Sequence, residues 1–230
     1  MLNFPDNNEK NPYATHESFL QACLEHIESF MTPYYVLEFG TGGRSSEIIS
    51  AHIAKSKSAK YVAFESSESY VRDHEERYSS DRTQLVSIGA QNSWFKAIQN
   101  FLANRAHIRI GLVFIDSSPW ESRTLALSLL VEEADFIMVH DVDYFPREGT
   151  WGLDVEPMSN LLTAHRKAGR LSHQDLGLRD YGDVFKSWVE CFESVPAAPT
   201  GPPTLIGSRT FDVDKIALPD NSLFLRSSTI

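Results

Sequence analysis

Residues 36–45 read VLEFGTGGRS: an apolar run, a glutamate, and then three glycines within four positions. The apolar run, with the preceding tyrosines, predicts a buried strand over residues 34–39. Gly40, Gly42 and Gly43 let the backbone turn sharply and approach a ligand closely, and a helix starting at Arg44 and Ser45 offers free amide groups. A plain strand-to-helix turn would use the same glycines. Glu38 shifts the weight, because a carboxylate inside an apolar run is costly to bury unless a cation or hydrogen-bond donors meet it. A ligand ammonium or the amides of the loop would serve.

Further apolar runs bounded by turn residues recur at 61–65, 84–89, 108–116 and 135–141, each short enough for a strand covered on both faces. Helix-compatible stretches lie between them, at 45–56, 67–80, 92–105 and 121–133, and an amphipathic helix is predicted over 15–31, stopped by Pro33. Alternating strands and helices predict the α/β class: a Rossmann-like, doubly wound, mostly parallel seven-stranded sheet with helices on both faces. After Asp141 the rhythm changes to a long loop, a helix at 158–169, a segment at 185–194 that reads as helix or strand, and a strand at 204–211. The last two are expected to close the sheet. The chain reads as one domain over 1–230, with the N-terminal helix, a cofactor-binding half at 34–116, an acceptor-side half at 117–211 and a tail at 212–230 without assignment.

Composition narrows the partners. With 31 acidic against 21 basic side chains and a formal charge of -10, a surface-wide grip on nucleic acid or an anionic membrane is disfavoured and a small-molecule partner favoured. Cys23 and Cys191 are too few for a disulfide framework, so a reducing, cytoplasmic compartment is expected, with no secretory leader and no membrane span. A homo-oligomer stays open.

In open α/β sheets ligands bind beyond the carboxyl ends of the strands, where strand order reverses. Glu65 ends the second apolar run at a distance from the glycine loop that suits a carboxylate accepting both hydroxyls of a ribose. LEFGTGGRS, YVAFESSESYV, GLVFIDSSPWESR and DFIMVHDVDYF, in that order, resemble the class I S-adenosylmethionine-dependent methyltransferases, in particular the compact small-molecule branch with a Glu-x-Gly-x-Gly-Gly loop. The resemblance spans residues 15–145 and, more loosely, 202–208. It implies S-adenosyl-L-methionine as cofactor, with Glu38, Gly40, Thr41 and Gly42 around its methionine end and Glu65 and Ser66 at its ribose. It further implies Ala90 and Gln91 near the adenine and Asp116 beside the transferred methyl. Arg44 stands where many members carry a small residue, and no acid occupies the usual adenine position near Gln91.

Methyl transfer from a sulfonium is an in-line displacement, so the protein aligns the reactants and removes a proton from the acceptor. Asp116, His140 and Asp141 are the candidate bases, His140 for its near-neutral titration. Adjacent strand residues point to opposite faces, so His140 and Asp141 reach one cleft together only at a frayed strand end. An alternative makes Asp116, Asp141 and Asp143 ligands for a divalent ion such as Mg²⁺; Val142 after Asp141 disfavours it, because related O-methyltransferases place a carboxylate and an amide side by side there. Trp120, Tyr144, Phe145 and Trp151 are candidates for the wall of an acceptor pocket, and residues 142–157 for a lid. Arg123, His165 and Arg166 read as solvated surface, with an anionic acceptor as the alternative. A nicotinamide dehydrogenase shares the strand, loop and helix order, but Ser45 stands where its fingerprint needs a third glycine. A non-catalytic nucleotide-binding domain would share the whole pattern.

Overall fold

A computed structural model describes residues 16–89, 92–105, 107–141, 184–193, 204–220 and 222–229. The elements run α1 (Glu17–Glu28), β1 (Tyr34–Phe39), α2 (Gly43–Lys55), β2 (Lys60–Glu65), α3 (Glu68–Tyr78), β3 (Thr83–Ser87), α4 (Trp94–Asn104), β4 (Arg109–Ile115), α5 (Trp120–Leu130) and β5 (Ala134–His140). Three strands follow: β6 (Ser187–Glu193), β7 (Thr204–Ser208) and β8 (Ser222–Thr229), with a short 3₁₀ turn at Val213–Lys215. They form one sheet in the order β3-β2-β1-β4-β5-β7-β6-β8. The pairings among β1 to β5 are parallel, while β7 runs antiparallel to β5, and β6 antiparallel to β7 and β8.

The doubly wound, mostly parallel architecture is therefore present, and the open choice at 185–194 resolves to a strand. The sheet has eight strands rather than seven, because the tail left without assignment supplies β8 along the outer edge of β6. β3 differs from the expectation of burial on both faces: it is the opposite edge strand and only half-buried. The helix expected at 158–169 and the lid expected at 142–157 lie outside the described residues. Among the described residues, no helix is long and apolar enough to cross a membrane.

Strand periodicity splits the core in two. Val36, Tyr61, Ala63, Leu112 and Phe114 face α1 and α2, whereas Leu37, Phe39, Val62, Val113 and Ile115 face α4 and α5. The helical spacing of Phe19, Leu20, Cys23, Leu24 and Ile27 buries one face of α1 on the sheet, and each large apolar side chain contributes about 1.5–3 kcal/mol. That packing delivers the start of α1 to the carboxyl end of the sheet. Strand order reverses between β1 and β4, so Gly40, Glu65, Asp116 and His140 emerge side by side at one edge.

Candidate functional site

The glycine turn is built around one position. Gly40 has φ +84 and donates from its amide to the Phe64 carbonyl at 2.9 Å. A Cβ there would stand 2.6 Å from the Asp116 carbonyl oxygen, and also 2.6 Å from the Ser117 Cα, so both backbone conformation and space demand glycine. The turn after β1 thus lies directly against the turn after β4. Gly42 then serves as N-cap of α2 without a capping side chain, leaving the first amides of the helix for another partner.

Glu38 does not line the mouth of this turn. It points beneath α2, is fully buried, and accepts hydrogen bonds from the Ser46 hydroxyl at 2.8 Å and from the Tyr61 hydroxyl, while its Oε1 has no partner among the described residues. Tyr61 Oη in turn lies 3.1 Å from His74 Nε2. Side-chain hydroxyls rather than loop amides therefore meet one Glu38 oxygen among the described residues, and the other is left without a donor. Burial pushes the Glu38 carboxyl up to about 7 from 4.5, although the nearby hydroxyls of Ser45, Tyr61 and Ser46 favour its charged form.

This group makes stability pH-dependent. The native state holds the proton longer than the unfolded chain, so the favourable contribution is full below about 4.5 and is lost as pH rises through about 7. Between pH 5 and pH 8 the wild type is expected to lose about 2–3 kcal/mol relative to Glu38→Gln, whose amide does not titrate. Urea unfolding of both proteins at the two pH values measures it. Parallel losses in both would remove Glu38 as the source.

Glu65 reaches back to the glycine loop. One oxygen accepts from the Thr41 amide at 2.7 Å and the Thr41 hydroxyl at 3.1 Å; the other accepts from the amides of Ser66 at 2.7 Å and Ser67 at 2.6 Å. Ser66 also donates its hydroxyl to the Ser118 carbonyl at 3.2 Å, tying the turns after β2 and β4. Ala90 and Gln91 lie outside the described residues; Gly89 and Asn92 on either side exchange backbone hydrogen bonds of 3.2 and 3.0 Å.

Asp116, His140 and Asp141 converge. His140 Nδ1 stands 3.1 Å from Asp141 Oδ1 and 3.5 Å from Asp116 Oδ2, though neither ring nitrogen makes a hydrogen bond of good geometry. The strand alternation that would separate His140 from Asp141 is broken by the left-handed backbone of Asp141, φ 57, a conformation that aspartate tolerates better than most residues. Arg123 completes the group and overturns its reading as solvated surface. It is buried, donating from Nε to the Ser117 carbonyl and from Nη1 to the His140 carbonyl, both at 2.7 Å, and from Nη2 to Asp116 Oδ1 at 2.6 Å. Nη2 is also 3.8 Å from Asp141 Oδ2.

The charges set one another. Burial works against ionised Asp116, but Arg123 and then His140 hold its carboxyl well below the ordinary range. Burial raises Asp141 despite His140 and Arg123. Burial would lower His140, yet Asp141 and Asp116 outweigh it and the imidazole is raised. The two carboxyl groups thus face one guanidinium and one imidazole whose charged form they favour. Asp116, His140 and Asp141 each offer a ligand atom, all within 4.8 Å of one another, so the donor set is also close enough to hold a divalent ion. His140 joins Asp116 and Asp141 in this set; Asp143, the other expected ligand, lies outside the described residues.

His16, which no sequence pattern singled out, belongs to the same cluster. Its ring centroid is 4.2 Å from that of His140 in an edge-on arrangement and 5.0 Å from that of Phe114. Burial, and then His140, lower its pKa to about 3. Tyr144, Phe145, Trp151, His165 and Arg166 lie outside the described residues, and only the backbone of Trp120 is described, at the start of α5.

No protein-family model and no curated protein matches the sequence. Solved structures do resemble the fold. An O-methyltransferase from Bacillus cereus, in complex with SAH, is 17% identical at a TM-score of 0.54, over 88% of this chain and 83% of that one. The O-methyltransferase TomG from Streptomyces achromogenes, involved in tomaymycin synthesis and in complex with SAM, is 14% identical at a TM-score of 0.51, over 87% of this chain and 91% of that one. At these identities the likeness establishes the fold of this chain.

Proposed function

We propose that the chain transfers the methyl group of S-adenosyl-L-methionine to an oxygen or nitrogen of a small-molecule acceptor. The observation that carries this reading is His140, set between the Asp116 and Asp141 carboxylates at the sheet edge where the glycine turn and Glu65 also emerge. Bound SAH and SAM in the two O-methyltransferases of like fold support the choice of cofactor. The strong negative charge of the chain supports a small molecule over a nucleic acid as acceptor.

The residues divide the work. The uncapped start of α2 suits a carboxylate, and the Gly40 turn lets the ligand approach the backbone closely. Glu65 is the residue read as meeting a ribose, and its two oxygens accept four hydrogen bonds from the protein, about the capacity of a carboxylate. Ribose hydroxyls would displace the longest of these, from the Thr41 hydroxyl. His140 takes the acceptor's proton as the methyl moves, with Asp141 and Asp116 orienting the ring and stabilising the imidazolium that forms. Arg123 fixes both strand ends through their carbonyls. In a second reading, favoured by the three clustered ligand atoms, Asp116, His140 and Asp141 would hold a divalent ion, which would supply Lewis-acid polarisation of the acceptor.

Titration calorimetry with S-adenosylmethionine and with NAD tests the cofactor. Heat of binding is expected with the sulfonium compound and none with NAD. Binding of NAD alone would reassign the chain as an oxidoreductase, and binding of neither would leave a domain without this cofactor.

A further inference from the structure

His16 has no task in the mechanism above, and its setting is unusual. It occupies the N-cap position of α1, where a side-chain oxygen would ordinarily accept from a helix amide, yet its ring makes no capping bond. The ring turns inward. It is 6% exposed, packs edge-on against His140 and against Phe114, and neither nitrogen has a hydrogen-bond partner among the described residues. Buried polar atoms are nearly always paired, so a buried imidazole with both nitrogens unpartnered beside the His140 cluster is a candidate to hydrogen-bond a ligand.

Its placement is held from two sides. The apolar face of α1 seats the helix on the sheet, and the neighbouring Glu17 receives a two-pronged contact from Arg44, Nε to Oε1 at 3.1 Å and Nη2 to Oε2 at 3.0 Å. Arg44 belongs to the first turn of α2, directly after the glycine loop. The departure of Arg44 from the small residue of the family pattern thereby gains a purpose: it latches the start of α1 to the loop proposed to hold the cofactor. Phe114, two residues before Asp116 on β4, backs the His16 ring from below.

We propose that His16 is an acceptor-positioning residue, whose imidazole hydrogen-bonds a second polar group of the acceptor while His140 takes the proton from the group that is methylated. The inference rests on the methyl-transfer reading. With the two ring centroids 4.2 Å apart, an acceptor that engages both imidazoles would carry its two polar groups close together, which favours neighbouring hydroxyl or amino groups over a single one.

The test uses the full chain, S-adenosylmethionine, and matched pairs of compounds: a vicinal diol or amino alcohol and its monodeoxy analogue. Calorimetry of cofactor binding is followed by S-adenosylhomocysteine release and by thermal melting, for wild type, His16→Phe and His16→Asn. Wild type is expected to prefer the two-group acceptor. His16→Phe should raise KM for that acceptor about tenfold, the loss of one hydrogen bond, with kcat little changed. It should also melt no lower than wild type, because the phenyl fills the space without buried nitrogens; His16→Asn should recover part of the preference. A merely structural histidine would instead lower the melting temperature and leave the preference between paired acceptors intact, which overturns the proposal. Cofactor binding without any preference for two-group acceptors in the wild type overturns it alone, whereas absence of cofactor binding overturns the methyl-transfer reading with it.

Discussion

Arg123→Met is expected to lower the stability of the protein by about 3–5 kcal/mol at neutral pH, the range for removing one partner of a buried ion pair. The guanidinium is the charge that Asp116 faces at 2.6 Å and Asp141 at 3.8 Å, and it also satisfies the carbonyls of Ser117 and His140. Methionine fills much of the volume and none of these needs. Two carboxylates would then share a buried site with only His140 between them. Arg123→Lys restores the charge without the planar fork that spans both strand ends, so it should fall between the two proteins. Urea denaturation at pH 7 and pH 4 separates the electrostatic part, since protonating the carboxylates at the lower pH shrinks the defect of the methionine variant. A change within about 1 kcal/mol at pH 7 would show that Arg123 is no more than a surface charge.

The second large effect is catalytic. His140→Gln is expected to slow methyl transfer about 10²–10⁴-fold, the usual contribution of a positioned base, while leaving S-adenosylmethionine binding intact. The wild-type pH profile carries the sign. Because the neighbouring carboxylates raise His140 above its ordinary value of 6.5, the imidazole is protonated and unable to accept a proton until pH exceeds that value. The kcat/KM should therefore climb with pH through a midpoint above 6.5, and Asp141→Asn should move that midpoint down by removing the leading charge that raises it. A rate in the glutamine variant within a few-fold of wild type would clear His140 of the proton transfer.

What could be read in advance follows from which forces act locally. Strand tips were legible because short apolar runs end at polar residues, and parallel pairing brings those ends to one edge; Glu65, Asp116 and His140 come from that pattern. Arg123 was not, because a charged residue on a helix ordinarily faces water, and its burial depends on carbonyls contributed by the turn after β4 and the end of β5. His16 looked like any polar residue ahead of a helix. The partners of Glu38 sit on β2 and α2, so only the strand register and the helix seat bring the hydroxyls of Tyr61 and Ser46 to it. β8 has a single short apolar run, Leu223 to Leu225, and exists as a strand through its pairing with β6.

The knuckle where Gly40 lies against the Asp116 carbonyl bears on how this scaffold could be retuned. With no room for even one added carbon at Gly40, a side chain there would force the turn after β1 and the turn after β4 apart. Laboratory selection for new acceptors should therefore leave that knuckle untouched and accumulate its changes at His16, with the Glu17–Arg44 contact that ties α1 to the glycine loop kept in place.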